Sequence, residues 1–158
     1  MALALLPEPE LLLHPWCRRR TVLVAVGTVD RRAAEAIRYA ALVPADDRRA
    51  VHVGVDDAVV DRWCHAFPDG LALDLLGGDD VPAAVADHAR LALETGSDEV
   101  LVVLGHLVGH GLRHRLLHDR TAPAIAAAID AVPGAQAVLV HVHPNRKEAP
   151  WPTSPTWR

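Results

Sequence analysis

The stretch from residue 99 to 132, EVLVVLGHLVGHGLRHRLLHDRTAPAIAAAIDAV, constrains this chain more than any other part of it. Residues 100–104 (VLVVL) are a continuous β-branched and leucine run, the pattern of a strand buried on both faces of a parallel sheet. Leu112, Leu116, Ile125, Ala128, Ile129 and Val132 then fall at helical spacings, after a loop of glycines and histidines. A buried strand feeding a glycine loop and a helix predicts a ligand crevice at the strand's carboxyl end.

The rest of the chain repeats that unit. Residues 21–26 (TVLVAV) read as a first strand, with the turn at 27–30 and Asp30 as N-cap of a helix carrying Ala33, Ile37, Ala40 and Ala41 and ending near Pro44. Residues 50–55 (AVHVGV) read as a second strand. Asp56 or Asp57 then caps a short helix with Val59, Val60, Trp63 and Phe67, stopped by Pro68 and Gly70. A weaker third strand covers 71–76. Asp79, Asp80 and Pro82 open a helix whose inward stripe is Val81, Val85, Ala89 and Ala92, closed by Gly96. Residues 137–142 (AVLVHV) are the fifth strand. Five strands alternating with four helices predict an α/β domain with a parallel sheet and helices on both faces. Residues 1–20 read as an N-terminal arm, broken by Pro7, Pro9 and Pro15, with Arg18, Arg19 and Arg20 as a solvated charge run; residues 144–158 read as a Pro/Trp-rich tail in which one or both of Trp151 and Trp157 dock, on this domain or on a neighbouring copy.

Several function classes are excluded at this level. At 158 residues one domain is expected, and a net charge of −4 without a basic stripe argues against nucleic acid. Cys17 and Cys64 make no CxxC, and Cys64 beside Trp63 reads as a buried, inert thiol. The start of the chain lacks the basic residues of a signal peptide and no apolar run approaches the ~18 residues of a membrane helix, so a cytoplasmic location is expected.

Three blocks, VLVAVGTVDRRAAEAIRYA (22–40), AVHVGVD (50–56) and RLLHDRTA (115–122), together resemble the cytoplasmic C-terminal domain of bacterial amino-acid permeases, which is itself similar to the universal stress proteins. The resemblance covers roughly residues 21–143. It implies a universal-stress-protein-like (adenine nucleotide alpha hydrolase-like) fold with sheet order 3-2-1-4-5. It also implies a homodimer through the fifth strand and a membrane transporter as partner. Carried over onto matching positions, the nucleotide-binding residues are Gly27, Thr28, Gly105, Gly109, Arg120 and Thr121. The match to the ATP-binding pattern is incomplete. Gly27 stands where the family has an aspartate, and Asp119 stands where its phosphate loop closes on glycine. A helix N-terminus favours negative charge, so a carboxylate there repels a phosphate while capping the helix. ATP is therefore expected to bind weakly or not at all.

Other candidate chemistry has plainer readings. His106, His110, His114 and His118 recur every four residues, but glycines interrupt the ridge and no metal site is expected. His141 and His143 share one face of the last strand, near a dimer edge or the strand's end. No nucleophile elbow, HExxH or Walker loop occurs, and the aspartate pairs 46–47, 56–57 and 79–80 sit where turns and caps explain them. The sequence therefore points to a non-catalytic regulatory or ligand-binding module of universal-stress type with a degenerate nucleotide site. The alternatives are a partner-binding module regulating an amino-acid permease and an ATP-binding stress protein with a weak site.

Overall fold

A computed structural model describes residues 18–67, 70–107 and 120–143. Nine elements follow in order: β1 (Arg20–Ala25), α1 (Arg31–Leu42), β2 (Asp47–Val53), α2 (Asp57–Ala66), β3 (Leu73–Leu76), α3 (Val81–Glu94), β4 (Glu99–Leu107), α4 (Thr121–Asp130) and β5 (Ala135–Val142). All strand pairings are parallel and the sheet order is β3-β2-β1-β4-β5, as the resemblance implied.

Strand alternation builds two cores. Val22 and Val24 of β1, with Leu101 and Val103 of β4, face Ala33, Ile37, Trp63 and Phe67 on the side of α1 and α2. Leu23, Val100, Val102 and Leu104 face Val85, Ala89, Ile125 and Ile129 on the side of α3 and α4. A central strand therefore has no polar face to show, which is why β1 and β4 read as unbroken apolar runs. Leu23 is fully buried, and its truncation to alanine carries the ~2–5 kcal/mol cost typical of a core leucine.

Helix starts follow the expected capping. The Asp30 carboxylate accepts from the N–H groups of Arg32 and Ala33, Asp56 accepts from Ala58, and Asp80 accepts from Ala83. Gly96, at φ 115°, takes the left-handed conformation past the end of α3 that other residues avoid.

Several boundaries move for tertiary reasons. β2 begins at Asp47 rather than residue 50, because Asp47, Arg48 and Arg49 pair with Thr21, Val22 and Leu23 of β1. It ends at Val53, where Gly54 turns at φ 109°. β3 keeps only four residues; Leu71 lies before it, buried, with its carbonyl accepting from Trp63 Nε1 at 3.0 Å. Arg20 belongs to β1 rather than to an arm, and its guanidinium pairs with Glu99 at 2.8 Å. Among the described residues no helix is long and apolar enough to cross a membrane. The expectations placed on residues 1–17, on the tail after 143, and on Gly109, Leu112, Leu116, His110, His114 and His118 lie outside the described residues.

Candidate functional site

From β1 the chain winds towards β3, then returns across the sheet to β4. α1 and α2 therefore cover one face and α3 and α4 the other. At this switch point the loops after β1 and β4 diverge and leave a crevice at the strands' carboxyl ends. It has a volume of about 360 Å³. Its walls are apolar (Val26, Val53, Val85, Leu104, Ala122, Ile125), and Thr28, Asp30, Arg32, His52 and Thr121 supply the polar groups.

Gly27, Thr28, Gly105 and Thr121 all line this crevice, where the sequence placed them. Arg120 stands at the N-cap of α4, and Gly109 lies outside the described residues. The two described glycines do different work. A Cβ on Gly27 would meet nothing within 4 Å, so that position is open space facing the crevice. A Cβ on Gly105 would lie 2.4 Å from the Arg32 carbonyl oxygen and 2.7 Å from its carbon. Gly105 is therefore needed so that the first turn of α1 can lie directly on β4. The N-cap of α4 also differs from expectation. Arg120, in helical conformation and without a side-chain capping bond, holds the position assigned to Asp119, which lies outside the described residues.

Two polar features escaped sequence reasoning. The first is a clasp at the start of α1. Arg32 Nε and Nη2 donate to Asp30 Oδ2 at 2.9 and 2.7 Å, and Thr28 Oγ1 donates to the same oxygen at 2.8 Å. Partial burial pushes the Asp30 carboxyl up. The Arg32 and Thr28 hydrogen bonds, the Arg32 charge and the Ala33 N–H outweigh it, so the group stays below its ordinary value of 3.8. The clasp leaves the crevice mouth with paired charges rather than an open cationic anchor.

The second is His52. It is 7% exposed, and Nδ1 lies 2.8 Å from the Val26 carbonyl oxygen. A carbonyl can only accept, so Nδ1 carries the proton; in the neutral ring Nε2 is then an acceptor. Among the described residues nothing bonds to Nε2. A single histidine inside an otherwise apolar strand was the available signal, since a buried polar group must find a partner.

The remaining candidates separate. His106 and His141 are register partners on β4 and β5 with ring centroids 5.7 Å apart, while His143 is exposed just beyond β5. Among the described residues no group of three or more metal-ligating side chains gathers. Cys64 is exposed, correcting the expectation of a buried thiol; α2 turns Trp63 inward and leaves its neighbour outside. Asp47 opens β2 rather than a turn, and Asp57 lies in the first turn of α2.

Residues 18–142 match the family model of the KimA potassium transporter C-terminal domain. No curated protein matches the chain. The family match overturns the assignment to universal stress proteins and to amino-acid permeases. The two blocks at 22–40 and 50–56, which build β1, α1 and β2, are what this parallel sheet imposes on a sequence, so they carried the fold and misidentified the family. With the match spanning every strand and helix described above, the chain belongs to the family of the KimA potassium transporter C-terminal domain.

Proposed function

We propose that this domain is a non-catalytic regulatory module of a potassium transporter, working on the cytoplasmic side of the membrane and governed by a small molecule held in the crevice between β1 and β4. The observation that carries this reading is the family match over residues 18–142, whose name places such domains on a potassium transporter. The crevice supports the ligand half of it. Its apolar walls suit a body that leaves water, and Thr28, Thr121 and the free acceptor of His52 suit a polar end with a donor directed at the histidine. Non-catalytic action fits a site whose described residues hold no nucleophile beside a base.

The assembly part of the reading is a homodimer. β5 ends the sheet, is bonded on one side to β4, and carries no charged residue along its eight positions. An uncharged edge of that length favours pairing with a second copy across a two-fold axis.

Potassium flux into proteoliposomes holding the membrane part of a KimA-type transporter tests the whole. Adding the wild-type domain should change the flux. Gly27→Leu, at a position where a Cβ meets nothing within 4 Å, puts a side chain into the crevice and should uncouple that change from the small molecule that native mass spectrometry finds on the wild-type protein. Flux indifferent to the domain would end the proposal.

A further inference from the structure

The edge of the sheet opposite β5 has a surface that the crevice does not use. Between α2 and β3 lies an open apolar groove of about 290 Å³, lined by Val60, Trp63, Cys64, Phe67, Leu73 and Leu75. Its floor is fixed. Trp63 and Phe67 are buried with ring centroids 4.5 Å apart, and Trp63 Nε1 is tied to the Leu71 carbonyl. Its rim is apolar and open to water. Leu75, which lines it, is 46% exposed. Isolated apolar side chains on a surface need no explanation, but exposed ones bordering a preformed apolar groove do.

Charge identifies the occupant. From residue 54 to 80 the described residues include Asp56, Asp57, Asp61, Asp74, Asp79 and Asp80 against one arginine, Arg62. Asp56 and Asp80 are spent as helix caps, and Asp74 faces Arg49 and His88. Asp57, Asp61 and Asp79 are exposed and make no ion pair among the described residues. On α2 the spacing of Asp57, Val60, Asp61 and Cys64 is i, i+3, i+4, i+7, so two of these carboxylates share a helix face with two groove-lining residues. Asp57 and Asp61 thus set an acidic border along the α2 side of the apolar trough.

We propose that this groove docks a basic amphipathic segment of the transporter's membrane part, with apolar side chains over Val60, Leu73 and Leu75 and lysines or arginines against Asp57 and Asp61. The proposal rests on the transporter reading above, because segments beside membrane spans on the cytoplasmic side carry an excess of Lys and Arg. A helix laid in a groove by its apolar face is the recognition mode the shape admits.

The test has two arms. In the first, the ¹⁵N-labelled full chain is titrated with a designed amphipathic peptide, leucines on one face and lysines on the other, and with its glutamate counterpart. Shifts confined to α2 and β3 for the lysine peptide alone support docking; equal response to both peptides, or none, overturns it. In the second, binding of the domain to the detergent-solubilised membrane part of a KimA-type transporter is compared between wild type, Leu75→Asp and the pair Asp57→Lys with Asp61→Lys. These positions are exposed and none caps a helix, so the variants keep the fold. Reversing two exposed charges should weaken binding about tenfold at low salt, and the difference should shrink as salt screens it. Equal binding by all three overturns the groove while leaving the transporter reading intact. No binding by any of them, wild type included, overturns the transporter reading itself.

Discussion

Gly105→Ala isolates the one contact on which the crevice geometry most depends. Gly105 does not have a positive φ, so its backbone accepts an alanine, and the usual effect of such a change is a gain of ~0.4–1 kcal/mol from a less flexible unfolded chain. Here the new Cβ would stand 2.4 Å from Arg32 O, 2.7 Å from Arg32 C and 2.8 Å from Arg32 Cβ. The first two are backbone atoms at the start of α1, which rotamer changes cannot move. Relief requires the helix to lift from β4. Ala33, Ala36, Ile37 and Ala40 are buried in the core shared with Leu101 and Val103 of β4, and lifting the helix opens their packing. Overpacking of this kind costs ~1–3 kcal/mol; less the entropic gain, the net loss is at most about 2.6 kcal/mol and centres on about 1.3 kcal/mol. For a domain of this size that is a fall in Tm of about 2–8 °C. Thermal melts with denaturant titration at unchanged slope measure it. Gly27→Ala is the matched control: it also lacks a positive φ, meets nothing within 4 Å, and should be neutral or slightly stabilising. A Gly105→Ala protein that melts at or above wild type would refute the account of why this glycine is there.

Three further outcomes follow from the same geometry. Asp30→Ala removes the α1 cap and the Arg32 clasp together and should cost about 1–2 kcal/mol at neutral pH. Because the folded carboxyl is held below its unfolded value near 3.8, that advantage is present above the unfolded value and lost as pH falls through the lower folded one; wild type and variant should converge in acid denaturation. His52→Leu strands the buried Val26 carbonyl and should cost ~1–3 kcal/mol in urea unfolding, with His52→Asn, which can restore a donor, losing less. For the β5 edge, sedimentation at tens of micromolar should give a dimer that His141→Glu, at an exposed position, loosens; Leu139→Lys is a poorer probe, since Leu139 packs against the α3 and α4 core and its loss would unsettle the monomer.

Local rules made much of this protein legible before any coordinates. The apolar runs of β1 and β4, the helix stripes, the caps at Asp30, Asp56 and Asp80 and the left-handed Gly96 all follow from interactions within a few residues, and each stands where its neighbours dictate. The candidate site was legible only in part. Gly27, Thr28, Gly105 and Thr121 do meet in one crevice, because a strand–loop–helix unit delivers its loop to the sheet's carboxyl end whatever the loop binds. The same generality explains the misassigned family: residues required by the sheet are shared by every chain that builds it, and they carry little information about what the sheet serves.

What only the tertiary structure decided are contacts between segments far apart in the chain. The sequence shows that position 105 is glycine, but its need comes from the backbone of α1, whose first turn packs on β4. His52 looks like a polar interruption of β2 until the Val26 carbonyl is found at 2.8 Å, which sets its tautomer and frees Nε2. The groove between α2 and β3 needs Trp63 turned inward and tied to the Leu71 carbonyl, and Leu75 turned outward. Periodicity and capping act over one helical turn or one strand pleat, so the chain states them directly. Close approach, burial and the pairing of remote polar groups depend on how whole elements stack, and those distances exist only once the chain is folded.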